Sequence, residues 1–238
     1  MNFKSILMSL SAEMIRAVNR TEDALPQDAL EGPSSWEVWN AADAVTHCAA
    51  WLEKDRRRLD NPDEMIPIIS DEELVEINRH IYETHQGTAW ANAKEKLEHT
   101  RARITARLDS MSEDELRATL KYSDCRQRPL WWSPAGHLGL HVAWHLGIIL
   151  NRHGSADLSV TIAEDIVSIS KTLGDDPKWL SANSYDLAVS YARAGRLLEA
   201  LGELKASLSF NPAVRDFAKQ DEELQILWDR EDFRRLTG

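Results

Sequence analysis

Three histidines recur at four-residue intervals in the stretch SPAGHLGLHVAWHLGIILNRHG: His137, His141 and His145. Four residues of α-helix are one turn with an offset of about 40°, so His141 and His145 can offer imidazoles to one ion. His137 and His145 stand about 12 Å apart along the same axis, too far to share a metal. At most two of the three therefore ligate the same ion. On a helical wheel His141 and His145 fall among Leu138, Val142, Ile148 and Ile149, in the middle of an apolar stripe, with His137 at its edge. An imidazole on an apolar stripe is a desolvated polar group that needs a partner. A metal satisfies both at once; neighbouring side chains or backbone are the other option.

Two imidazoles leave a metal short of ligands, because catalytic zinc-type sites take three protein ligands and keep a position for water. The best third candidate is His47, in the middle of another helical stretch, on a strip with Trp36, Asn40, Asp43, Ala44 and Trp51. Asp43, one turn before it, reads either as a fourth ligand or as a carboxylate that orients an imidazole. Three neutral imidazoles would leave an ion its full charge and an open position, suited to activating water, a thiol or a carbonyl. Trp36, Trp51 and Trp132 are candidates for an apolar lining. Cys48 adjoins His47, but helix neighbours point about 100° apart, so it reads as a packed core thiol. His80, His85, His99 and His153 sit among charged or loop residues and read as exposed. There is no nucleophile elbow, phosphate loop or CxxC pair.

The elements that must carry these residues are helices. Apolar spacing at Ile6, Leu7, Leu10, Met14, Ile15 and Val18 predicts a helix over residues 3–19, followed by a loop from Thr21 to Pro33. A capping box of Ser34 with Glu37 predicts a second helix running to about Asn61. Ser70 with Glu73 opens the next, Gly87 interrupts it, and the helical pattern resumes from Thr88 to about Met111. Ser112 with Glu115 caps a short turn. A polar segment, Lys121 to Arg128, and the Trp131–Trp132 pair lead into the histidine helix, expected from Ser133 to Gly154. Apolar faces of long helices are buried only by packing on one another, which predicts a four-helix bundle over residues 1–154. Gly139, Ala143 and Gly147 form a stripe of small residues opposite the histidines, which predicts close approach of another helix.

From about Leu158 the pattern changes. The piece LSANSYDLAVSYARAGRLLEALGELKASLSFNP resembles one tetratricopeptide repeat, with Leu187, Ala188, Tyr191, Gly195, Ala200, Leu204 and Pro212 at the family's positions. Ser184 and Ser207 stand where that family usually has a large aromatic and an alanine. One repeat cannot bury its own face, so residues 155–238 must dock on the bundle, pair with another chain or combine with neighbouring helices. The tail predicts a closing helix anchored by Phe217, Leu224, Leu227, Trp228, Phe233 and Leu236.

Over residues 1–154 the chain resembles the DinB/YfiT-like superfamily, and within it the DfsB/ClbS-like branch. WEVWNAADAVTHCAAW, INRHIYETHQGTAWANAKEKLEHT and LWWSPAGHLGLHVAWHLGII carry the likeness. The resemblance implies an all-α fold: a DinB-like four-helix bundle followed by a short tetratricopeptide-like segment. It also implies a metal triad of one histidine from the second helix and an H-x3-H pair from the last. By position these are His47, His141 and His145, around a divalent ion, zinc or nickel. The superfamily includes hydrolases and thiol transferases or isomerases that use low-molecular-weight thiols, and is often dimeric; the branch is known for protection against a reactive natural product. The expected function is a metal-dependent hydrolase or thiol S-transferase on a small, electrophilic molecule. The alternative is a non-catalytic adaptor that uses the C-terminal repeat for protein contact.

Composition narrows the partners. A net charge of −11 and a pI near 5.2 argue against nucleic acid and anionic membrane, which both need a basic footprint. No run of about 18 apolar residues is available to span a bilayer. Two cysteines, Cys48 and Cys125, make no disulfide framework, which points to a reducing cytoplasm. A small-molecule substrate, a low-molecular-weight thiol and a homodimer are the partners to expect.

Overall fold

A computed structural model describes residues 2–123 and 127–238. It is all-α apart from one short hairpin. The helices are α1 (Phe3–Ala24), α2 (Gln27–Glu31), α3 (Ala41–Asp60), α4 (Asp71–His85), α5 (Trp90–Ser110) and α6 (Glu113–Arg117). The hairpin pairs β1 (Thr119–Lys121) with β2 (Gln127–Pro129), antiparallel, with Leu120 opposite Arg128. Then come α7 (Trp132–Leu138), α8 (Leu140–Arg152), α9 (Ala156–Ser170), α10 (Pro177–Arg193), α11 (Leu197–Phe210), α12 (Arg215–Ala218) and α13 (Glu231–Thr237). Cys125 lies outside the described residues. No helix among the described residues is long and apolar enough to cross a membrane.

The chain divides into two compact units, residues 1–142 and 143–238, a division that falls inside α8. In the first, side-chain pairs set the directions of the bundle helices. Ser11 and Glu22 of α1 meet Arg101 and Lys94 of α5, so those two run antiparallel. Glu53 and Asp60 of α3 meet Arg103 and Arg107 of α5, so those two run in the same direction. Asp55 and His47 of α3 meet His137 of α7 and His141 of α8, an antiparallel pairing. The order is up, down, down, up, and the long crossover between α3 and α5 carries α4. Leu7, Leu10, Met14, Leu52, Leu97, Ile104 and Leu138 are fully buried in this core.

Local signals explain most helix ends. The Ser70–Glu73 and Ser112–Glu115 boxes both form, each with its reciprocal pair of hydrogen bonds, and Gly87 adopts φ 75° where the chain leaves α4. The Ser34–Glu37 box does not open the second helix. Ser35 and Val38 close a tight turn by two backbone bonds, and the Glu37 carboxylate takes the Ser35 hydroxyl. The helix begins at Ala41 from a stronger box, Asn40 with Asp43, whose asparagine amide also donates to the Gly32 carbonyl at 2.7 Å. The histidine helix is two helices rather than one. Gly139 takes φ −132° and ψ −85°, outside the helical region, and separates α7 from α8. The expected loop after residue 21 is partly helical, α1 continuing to Ala24 and α2 following Pro26.

In the second unit α10 packs on both α9 and α11. Ser181 near the start of α10 bonds Ser207 near the end of α11 at 2.9 Å, so these two form an antiparallel hairpin. The turn between them holds Gly195 at φ 73°. The hairpin thus combines with neighbouring helices. The small-residue stripe meets α9: a Cβ on Gly147 would lie 3.1 Å from the Ser159 hydroxyl, and Asn151 donates to that oxygen at 2.9 Å. Ala143, Leu146 and Leu150 are buried. The tail is not one closing helix. Asn211 and Asp221 cap successive short turns and break it into α12, a 3₁₀ turn at Glu222–Leu227 and α13. Leu224, Leu227 and Phe233 are buried as anchors, while Phe217 is exposed.

Candidate metal centre

His47 sits at the centre of α3, among Ala44, Val45, Cys48 and Leu52, all buried. Its Nε2 lies 3.1 Å from Nε2 of His141 on α8. His145 follows one turn later, and one ring nitrogen from each of the three histidines falls within 4.8 Å of the others. His47 is buried and the other two are half-buried. Two imidazole nitrogens on a tetrahedral zinc, at about 2.0–2.1 Å each, stand about 3.3 Å apart. The His47–His141 spacing matches that figure, and a neutral three-nitrogen donor set suits zinc, nickel or a similar divalent ion. These three histidines can hold one metal ion.

Aromatic rings wall the centre. Trp39 lies 4.9 Å and Trp51 6.3 Å from the His47 ring, centroid to centroid. Trp39 stacks on Tyr82 of α4, with Trp36 in edge contact with both. Trp51 is oriented by a hydrogen bond from its indole N–H to Asn78. Trp132 packs against Trp131 and Arg128. Trp39 was not among the expected lining residues. A helix begun at Ser34 would rotate it about 80° from His47, whereas the turn before Asn40 folds it back onto the imidazole.

Asp43 has another task. Its carboxylate accepts from the Asn40 N–H at 3.1 Å and completes the capping box, and burial raises its pKa while bonds from Ser34 and Asn40 oppose the rise. It is an N-terminal capping group, outside the three-histidine cluster. The carboxylate that meets a histidine is Asp55. Its side chain is fully buried, it lies 2.5 Å from His137 Nδ1, and it accepts from the Ser133 hydroxyl at 2.7 Å. The His137 ring stacks on Trp51 at 5.5 Å and stands edge-on to His141 at 4.9 Å. A carboxylate on Nδ1 sets the tautomer and leaves Nε2 as the basic nitrogen. One sequence signal marked Asp55: it continues the strip from His47 and Trp51 at four-residue steps. Burial pushes the Cys48 thiol far up, away from nucleophilic use. His80, His99 and His153 are exposed; His85 is half-buried and accepts from Lys96.

The family model of the DinB superfamily matches residues 12–148. The chain belongs to the DinB superfamily. The match covers the bundle and all three clustered histidines, and ends inside α8. No curated protein and no solved structure matches the chain. A DinB-superfamily bundle with three convergent imidazoles is compatible with a metal-binding protein.

Proposed function

We propose that this DinB-superfamily protein is a metal-dependent enzyme, a hydrolase or thiol S-transferase acting on a small electrophilic molecule. The observation that carries the reading is the convergence of His47, His141 and His145, one ring nitrogen of each lying within 4.8 Å of the others. These residues would hold a divalent ion, zinc or nickel, which supplies a Lewis-acid centre for water, a thiol or a carbonyl. Trp39 and Trp51 give the substrate an apolar contact. His137, with Asp55 on Nδ1, takes a proton at Nε2 as the nucleophile is used. For a thiol, the sulfur bonds to the electrophilic carbon, the leaving group departs and the thiol proton passes to that base.

Elemental analysis of protein purified without chelator tests the reading. Stoichiometric metal is expected in the wild type and in His137→Ala, and none in His141→Ala or His145→Ala. A wild type that is metal-free, and that neither zinc nor nickel reconstitutes, overturns it. A second reading rests on a different observation: Leu198, Phe217 and Ile226 of the C-terminal unit are exposed apolar side chains. They favour a role in protein contact, with a second copy or another protein, for the C-terminal unit. Oligomeric mass of the wild type against Leu198→Glu separates the two partners.

A further inference from the structure

One cavity lies away from the three histidines. It is a cleft of about 1210 Å³ between α3, α5 and the crossover segment at residues 61–69. That volume exceeds the about 300–1,000 Å³ of ordinary small-molecule pockets. The crossover segment is held in place as a wall: Ile66 bonds Lys121 and Ser123 through the backbone, and the Ile68 N–H donates to the Ser123 hydroxyl. Ile66, Pro67, Ile69, Met65 and Leu120 supply an apolar surface facing the cleft. Met65 is 61% exposed, a large side chain left uncovered.

The charged lining is basic in a protein that is strongly acidic. Lys54, Arg57, Arg58, Lys96 and Arg103 line the cleft, against Glu53, Glu64 and Glu95. The arginines are engaged: Arg57 and Arg103 share Glu53, and Arg58 reaches Asp55. The lysines are not. Lys54 lies over the Trp51 ring at 4.5 Å, and Lys96 donates to the neutral partner His85 at 2.8 Å. Neither has a carboxylate at ion-pair distance among the described residues, and both are half-buried. Burial lowers the pKa of both; at Lys54 the Arg58 charge adds to the fall and the Asp55 carboxylate opposes it. Glu64 and Glu95 are solvent-exposed and do not neutralise them.

An anion would do so. We propose that this cleft is a binding site, separate from the metal centre, for a small molecule bearing a carboxylate on an aliphatic body. Lys54 and Lys96 are its cationic contacts, and the wall from Met65 to Ile69 covers its chain. The apolar wall discriminates against inorganic anions, and the lysines against neutral or cationic amphipaths.

Titration calorimetry on the full chain tests this with sodium dodecanoate and dodecyltrimethylammonium, both below micelle formation. One dodecanoate per chain is expected, no saturable binding of the ammonium compound, and an affinity that falls with added salt. Lys54→Met/Lys96→Met, which keeps most of each apolar stem, should weaken dodecanoate by about tenfold or more. His141→Ala should bind it as the wild type does. Equal binding of the two amphipaths by the wild type overturns the proposal without recourse to any variant. So does unchanged affinity in a double variant that melts normally, or loss of dodecanoate binding in His141→Ala, which would place the molecule at the metal centre.

Discussion

The two units bury different kinds of polar group. In residues 1–142 the buried set includes Glu13, Asp43, His47 and Asp55, four ionisable side chains. In residues 143–238 it is mainly Ser159, Ser170, Ser181, Asn183, Ser184, Ser190, Ser207 and Thr237, with Asp186 the exception taken up below. Of the buried hydroxyls, those of Ser170 and Ser184 have no hydrogen-bond partner among the described residues, Ser159 accepts from Asn151, Ser181 pairs with Ser207 across the hairpin, and Ser190 and Thr237 donate to the carbonyl one turn back. A small hydroxyl satisfied this way lets helices approach closely and costs little to bury. An ionisable group costs much more to bury and is kept only with a partner. Where several converge, as His47, Asp55, His137 and His141 do, a functional site is the simplest reason for the expense. The buried polar groups of residues 143–238 are mainly hydroxyls, whereas those of residues 1–142 include the ionisable cluster; His145, the third clustered histidine, falls just past the division.

The largest effect that would break this contrast is metal removal. If the histidines hold an ion, chelator should lower the wild-type melting temperature. A free ion at a thousand times its Kd stabilises the fold by about 4 kcal/mol. His141→Ala should not respond to chelator. Calorimetric scans with and without chelator decide it, and an insensitive wild type would make the triad a structural cluster.

Asp55→Ala comes next. It leaves His137, Ser133 and Arg58 facing a buried gap, and should cost about 3 kcal/mol, read as a lower midpoint in guanidinium at unchanged slope. The matched experiment in the second unit is Ser181→Ala with Ser207→Ala. Removing both hydroxyls leaves neither unpaired, so a change under about 1 kcal/mol is expected. Similar losses in the two experiments would erase the distinction.

Ala143→Leu should overpack the small-residue face of α8 and cost about 1–3 kcal/mol. A melting temperature and oligomeric mass that both stay at the wild-type values would show that the face is open.

A further test concerns the exception in the second unit. Burial pushes the Asp186 carboxyl up from 3.8 to about 7, with Asp221 adding to the rise and Arg193 opposing it. Between those values the folded state holds a proton that the unfolded state has lost. Stability therefore falls as pH rises through that window. Asp186→Asn should melt higher than the wild type above about pH 7 and match it near pH 4. An equal gain at both pH values would mean that the carboxyl titrates normally.

Sequence alone determined the elements whose signals are local. Helical periodicity, the boxes at Ser70 and Ser112 and the glycines after α4 and α10 act within a turn of themselves, so they could be read without knowing the fold. The triad was accessible for the same reason in part: His141 and His145 are related by one turn of one helix, and His47 came from an apolar strip and a family likeness. Tertiary structure decided the rest. Two capping boxes competed for the start of α3, and the one at Asn40 also reaches the Gly32 carbonyl, a contact no spacing rule contains. Gly139 breaks the histidine helix, although glycine alone is tolerated within helices. Asp43, one turn from His47, is spent on a backbone cap, while Asp55 meets His137 across eighty-two positions of chain. Which carboxylate meets which imidazole depends on how α3 and α7 face each other, and only long-range packing sets that.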